Sequence, residues 1–167
     1  MIVEKSKLKS ALSKLSVLVN RESTIDGNPT RILFESNDGK ISLTSCDGSN
    51  LGVFSFNTSD TSKMEFVCDY KTLTAATVMR GDVQIECKDS ILTISQGETK
   101  MKYPVKGKDS YPNESKSIDS ENRLIINSTK LKKLLGKISY IRKDKDPRPF
   151  TTGINFKFDG QRLKMEA

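Results

Sequence analysis

The chain has 167 residues, with 28 Lys and Arg against 21 Asp and Glu, and carries a net charge of +7. That length suits one domain or one and a half, and the charge favours a polyanionic partner. Histidine is absent and the three cysteines, Cys46, Cys68 and Cys87, form no CxxC pair, which excludes His-based catalysis and argues against a structural zinc or a disulfide framework.

In chain order, residues 2–4 read as a short strand running into an amphipathic helix. Ser6 is the predicted cap, and the helix should end near Asn20. On a wheel of ~100° per residue centred on Leu8, the side chains of Leu12, Leu15 and Val19 fall within about 40° of it, with Ala11 and Leu18 on one flank. This is a core-facing stripe. The opposite sector holds Lys7, Ser10, Ser13, Lys14 and Arg21, with Val17 as its one apolar member and no acid. No apolar run approaches ~18 residues and no signal peptide precedes the strand, so a reducing cytoplasm is the expected location.

Residues 21–30 are rich in turn formers and read as a loop. A dense β region follows. RILFES and KISLTSC flank Asp38-Gly39, a strong hairpin signal because a type I′ turn needs positive φ. GVFSFN (52–57) alternates, and KMEFVC (63–68) is a further strand. A second helix is predicted over 69–79, stopped by Arg80-Gly81. Tyr70, Leu73, Ala76 and Thr77 form its apolar face, whereas Ala75 and Val78 point outward near Lys71. Such a face belongs either to a helix that meets another chain or to one that is merely uncharged. Then come DVQIECK, a turn at Asp89-Ser90, ILTIS, and a strand containing Pro104, which marks an edge.

Residues 108–122 are polar and aperiodic. The predicted division is a first domain at 1–115, a linker at 116–122 and the start of a second domain at 123–167. The second domain repeats the opening of the first. In LIINSTKLKKLLGKISYIRK, Leu131, Leu135 and Ile138 take the places of Leu8, Leu12 and Leu15, and Lys130, Lys133, Lys137 and Tyr140 take the polar sector. A charged loop (143–148), GINFKF, Asp159-Gly160 and RLKMEA follow. The second copy has room for one helix and two strands, and a half-built sheet leaves an apolar face and an edge bare, so the chain is expected to be a fragment of a longer one. The pattern predicts an α+β architecture of quasi-repeated domains, with antiparallel sheets carrying helices on one face. Basic helix faces repeated in this way would form a surface able to follow a phosphate backbone without reading bases.

Four stretches carry a resemblance to a known family. They are MIVEKSKLKSALSKLSVLV with Arg21 just after it; DGKISLTSCD, which is similar to "DG-x-L-x-L-T-A-T-D"; GETKMKYPVKGKDSYP, which is similar to "G-x-S-x-F-x-L-x-G-x-x-A-x-D-F-P"; and DPRPFTTGINFKFDGQRLKMEA, which is similar to "D-x-R-P-x-L-N-G-V-L-x-E". In these the chain resembles the N-terminal part of the bacterial replicative DNA sliding clamp, the beta subunit of DNA polymerase III. In the family the last motif runs on into Thr, Asp and Gly, before which this chain ends.

The resemblance implies a DNA clamp fold and a head-to-tail homodimeric ring of three domains per chain, closed around double-stranded DNA. Helices would line the hole. The DNA polymerase would be held by topology, and an ATP-driven clamp loader would open the ring. It implies no catalysis and no cofactor, and a nucleoid-associated protein. Arg21 matches an arginine in the hole. Lys7, Lys14, Lys130, Lys133 and Lys137 are assigned to the DNA side from the wheel. Arg148, Pro149 and Phe150 match a region near DNA and the protein-docking groove, and proline at 149 argues against stacking there. Thr151 stands where the docking pocket usually has leucine and makes that pocket more polar; Arg148 is also assigned to the groove. The ring interface maps to Lys71, Ala75, Met101 and Tyr103, and an exposed Ala75 and alternating Met101 and Tyr103 fit such an edge independently. The partner edge belongs to a third domain that this chain lacks, so it should not close a ring by itself.

Three rival readings share parts of this pattern. One is a stand-alone truncated clamp homologue acting as a decoy or accessory factor. Another is a general basic nucleic-acid-binding domain, which the lack of interleaved aromatic residues disfavours. The third is an enzyme. Against it, Asp38, Asp47, Asp69, Asp82 and Asp159 sit at hairpins and caps where turn chemistry accounts for them, and no phosphate-cradling loop or nucleophile elbow is present.

Overall fold

A computed structural model describes residues 1–19, 30–46, 50–111, 125–139, 153–160 and 162–166. The chain divides into two units, Met1–Ser115 and Lys116–Ala167. No described helix is long and apolar enough to cross a membrane.

The first unit contains β1 (Ile2–Val3), α1 (Lys5–Leu15), β2 (Arg31–Asn37), β3 (Lys40–Cys46), β4 (Leu51–Asn57), β5 (Met64–Asp69), α2 (Tyr70–Ala76), β6 (Val83–Lys88), β7 (Ile91–Gln96) and β8 (Thr99–Pro104). The strands form two antiparallel sheets, ordered β4-β3-β2-β5 and β1-β6-β7-β8. Two tight turns set the registers. Asp38 and Gly39 both have positive φ (49° and 74°), closing β2 onto β3 with Asn37 opposite Lys40. Asp89 and Ser90 (51° and 60°) do the same for β6 and β7, with Lys88 opposite Ile91. These are the φ signs of a type I′ turn, whose twist matches the flanking strands.

Period-2 alternation then decides what is buried. Ile32, Phe34, Ile41, Leu43, Phe66 and Cys68 of one sheet and Val83, Ile85, Leu92 and Ile94 of the other share a core with Leu8, Ala11, Leu12 and Leu15 of α1 and Leu73 and Ala76 of α2. Burying each large apolar side chain contributes about 1.5–3 kcal/mol. Phe34 and Phe66, opposite each other in register, stack with centroids 4.7 Å apart. The end of α1 packs onto β4 at Gly52, where an added Cβ would lie 2.3 Å from Cδ1 of Leu18. On the other face of β2, β3 and β5 a smaller cluster of Leu33, Cys46, Val67 and Tyr111 forms. The chain leaving β8 is fastened there by backbone pairing of Lys106 with Val67, by the Lys108–Glu35 ion pair at 2.5 Å, and by the Tyr111 hydroxyl donating to Thr44 O at 3.2 Å.

Two details of α1 differ from the sequence expectation. Ser6 is not the cap. Its hydroxyl bonds to the Glu4 carboxylate, while the helix begins at Lys5, whose amide donates to Oδ1 of Asp82 at 3.1 Å. The cap therefore comes from the loop before β6, distant in sequence. The helix also ends at Leu15 rather than near Asn20, tightening into a 3-10 turn over Ser16–Leu18. There the Ser16 hydroxyl donates back to Ser13 O, a local bond that competes with helix continuation. α2 is likewise shorter than predicted, and Thr74 and Thr77 make similar back-bonds to Tyr70 O and Thr74 O. The two helices run side by side in opposite directions, because Tyr70 Oη donates to Leu12 O and Lys5 Nζ to Met79 O.

The second unit contains α3 (Ser128–Ile138) and an antiparallel hairpin of β9 (Asn155–Phe158) and β10 (Leu163–Glu166). Asn127 caps α3, its Oδ1 accepting from the Lys130 amide at 3.1 Å. The hairpin turn is longer than a two-residue Asp-Gly turn, with Phe158 opposite Leu163 and Oδ1 of Asp159 accepting from the Arg162 amide at 2.6 Å. The strand predicted ahead of α3 is not present at Ile125 and Ile126, and Ile125 is 94% exposed. In the first unit β1 has β6 to pair with; among the described residues no strand lies opposite Ile125 and Ile126.

Candidate nucleic-acid interface

α1 turns its stripe inward and leaves Lys7, Lys9, Ser10, Ser13 and Lys14 exposed on its outer side, with Val17 at 82% exposure just beyond. The helix itself carries no acid, but Glu4 stands immediately before it. Glu4 Oε2 lies 2.8 Å from Lys7 Nζ, which also donates to Asn57 O at 3.3 Å. Hydrogen bonds from Lys7 and then Ser6 hold the Glu4 carboxyl below its ordinary range. Lys14 is placed differently. Its ammonium sits 4.3 Å from the centroid of the Phe54 ring on β4. Sequence reasoning missed both partners. The Glu4–Lys7 spacing of i,i+3 was a readable signal, whereas Phe54 became relevant only once β4 lay beneath the flank of α1.

On α3, Lys130, Lys133 and Lys137 are exposed, as is Lys132 between them. No described carboxylate pairs with any of these four. Lys137 in the last turn also complements the helix dipole. Arg21, Tyr140, Arg148, Pro149, Phe150 and Thr151 lie outside the described residues, as does the segment 116–122 assigned as linker.

β8 is an edge strand, with Pro104 in register with Ile91. Met101 lies opposite Ile94 and Tyr103 opposite Leu92, so both side chains share the core face of the sheet and are half-buried there. The Tyr103 hydroxyl reaches Met101 Sδ at 3.3 Å. Lys100 and Lys102 occupy the other face and are exposed. On α2, Lys71 is exposed, and Ala75, expected to be exposed, is half-buried; Val78, just past the helix, is the exposed apolar residue.

Among the described residues no group of three or more Cys, Asp or Glu is placed to hold a metal ion. Cys46 and Cys68 are buried and Cys87 is half-buried, and burial pushes the Cys68 and Cys87 thiols up, away from the reactive thiolate form.

No protein-family model matches the chain, and no curated protein matches it in sequence. Its structure is similar to bacterial sliding clamps. It matches the DNA polymerase III subunit beta of Pseudomonas aeruginosa, crystallised with griselimycin, with a TM-score of 0.87 and 18% identity, over 99% of this chain and 45% of that one. For the beta subunit from Streptococcus pyogenes the TM-score is 0.86 at 15% identity, over 95% and 44%. For the Caulobacter crescentus beta sliding clamp it is 0.81 at 20% identity, over 98% and 45%. The chain thus has the clamp fold that its motifs indicated, and spans a little under half the length of these solved clamps.

Proposed function

We propose that the chain is part of a DNA sliding clamp: a non-catalytic processivity factor, the beta subunit of a bacterial replicative polymerase, that encircles duplex DNA as a homodimeric ring. The observation that carries this reading is the match of nearly the whole chain to solved clamps at a TM-score of 0.87. The charge distribution agrees with it. Two helices of like pattern each bury or half-bury a leucine stripe and leave lysines outward. Lysines facing a phosphate backbone attract it through released counterions and carry no base information, which is what a contact that must slide requires.

In this reading Lys7, Lys14, Arg21, Lys130, Lys133, Lys137, Arg148 and Phe150 belong to the DNA side. Lys71, Ala75, Met101 and Tyr103 belong to the junction between protomers, where β8 would accept a strand from its partner and the half-buried Met101 and Tyr103 would be covered. Arg148 and Thr151 belong to the groove for polymerase and other clients, and a clamp loader opens the ring.

The test is topological. The whole protein, loaded on a nicked circular plasmid by its loader, should stay bound until the plasmid is linearised and then slide off. Equal retention on both forms would exclude a ring. A second reading is a stand-alone clamp homologue that acts on another clamp or its loader. The intact mass in the source cells separates the two, because three domains of about 120 residues give roughly 40 kDa whereas this chain has 18.7 kDa.

A further inference from the structure

We propose that, of the two lysines that share the outer sector of α1, Lys14 is the one that meets the phosphate backbone, that Lys7 is largely withheld from it, and that Phe54 is the residue that positions Lys14. The inference rests on the reading of α1 as a DNA-facing helix.

Lys7 and Lys14 are two helical turns apart and share one sector, so helical periodicity alone makes them equivalent. The structure makes them unequal. Lys7 sits 2.8 Å from a carboxylate that hydrogen bonding keeps ionised, and its remaining reach is directed to Asn57 O. A phosphate approaching Lys7 meets the charge of Glu4 at almost the same distance, and must displace it before a counterion is released. Lys14 has an aromatic ring in place of a carboxylate. The ring attracts the ammonium through its quadrupole but leaves the full positive charge in place. It covers one side of the ammonium, and N–H donors on the other side remain for a phosphate. Phe54 is itself half-buried against the main core, so the platform is stiff. The lysine is held near the surface with part of its side-chain freedom already surrendered, which lowers the ordering cost of each transient contact.

The experiment uses the full chain and a duplex oligonucleotide at low ionic strength, following binding as salt is raised. Each phosphate neutralised contributes about 0.9 to the slope of log K against log salt. Lys14→Ala should remove about that much, Lys7→Ala less than half as much, and Glu4→Gln should tighten binding by freeing Lys7. Phe54→Leu keeps an apolar side chain but removes the ring; it should weaken binding about two- to fivefold in the native background and have no effect in the Lys14→Ala background. Phe54→Tyr should restore native binding. Without DNA, ring current should move the Lys14 ε-methylene protons upfield in a manner abolished by Phe54→Leu.

Equal slopes lost from Lys7→Ala and Lys14→Ala, or a Phe54→Leu effect that persists without Lys14, would overturn the inference and leave α1 as a DNA-facing helix. A duplex affinity insensitive to salt and to both lysines would overturn the DNA-facing reading itself, and the inference with it. An unshifted Lys14 methylene would overturn the role of Phe54 whatever the DNA result.

Discussion

α1 and α3 are nearly the same helix in sequence and very different in structure. Both have eleven residues, a leucine stripe and outward lysines. Yet Leu8, Ala11, Leu12 and Leu15 are all buried, whereas α3 has no buried residue and its Leu131, Leu135 and Ile138 reach only partial cover. The difference lies in what is under the helix. α1 packs on a core built from two four-stranded sheets; the described strands of the second unit are two, and Phe156 and Phe158 on β9 stay about half exposed. An amphipathic pattern specifies which face turns inward, while the strands facing it determine how much stability follows.

Truncating the same position in both helices should have very unequal effects. Leu12 is 3% exposed, and Leu12→Ala should cost about 2–5 kcal/mol. Leu135→Ala should cost less than half of that, each read from denaturant unfolding of its own unit. Equal costs would mean that α3 has a covered face in solution. A smaller expected effect concerns the edge of the first unit. In the whole protein Met101→Asp should weaken protomer association by about thirtyfold or more, the size of a hot-spot loss, and sedimentation should show monomers. Lys102→Ala, on the other face of β8, serves as the control that keeps the strand intact. A Met101→Asp protein that stays dimeric would remove β8 from the interface.

The two helices also start differently, with smaller effects on stability. Asn127→Ala should cost the second unit about 1 kcal/mol, the usual worth of an N-cap. Ser6→Ala should be close to neutral and Asp82→Ala should carry the cost instead, because Asp82 supplies the bond that the sequence assigned to Ser6. Amide exchange in the first turn of α1 reads this directly; protection lost in Ser6→Ala but kept in Asp82→Ala would reverse the assignment.

These cases also mark how far the chain could be read before its fold was known. The leucine stripe of α1, the Asp38-Gly39 turn and the edge signal of Pro104 are local, set by periodicity or by one residue's backbone geometry, and each forms in the structure. The cap from Asp82 joins residues 77 apart in sequence, and the ring under Lys14 depends on which strand α1 covers; neither has a local signature. The Glu4–Lys7 pair has a local signature, an i,i+3 spacing, but a wheel that starts inside the helix leaves out the residue just before it. For the candidate interface the outward lysines are readable as a set, and of their inequality only the Glu4–Lys7 half is; the Phe54 half is not.

The smallest effect expected is one of pH, and it separates the two units by what holds their strands. In the second unit Glu166 Oε1 accepts from Lys164 Nζ at 2.5 Å and Oε2 from Lys157 Nζ at 2.9 Å, joining β9 to β10. Chiefly the Lys164 hydrogen bond, and then that of Lys157, lowers the Glu166 carboxyl to about 2. Its folded pKa lies below its unfolded one, so the stabilisation is fully present above the ordinary glutamate range and is lost as pH falls from there through about 2. The carboxylate lies at the surface, so the gain is modest and screened by salt. The hairpin amides should nevertheless become less protected between pH 5 and 2 by about the usual range of a surface pair, while the core amides of β2 and β3, held by buried apolar contacts, keep their protection until the whole first unit opens. Glu166→Gln should flatten the hairpin's pH dependence, and raised salt should shrink it. If hairpin and core amides respond alike to acid, the two units share one cooperative transition, and the contrast between a well-floored helix and a thinly floored one does not extend to their stability.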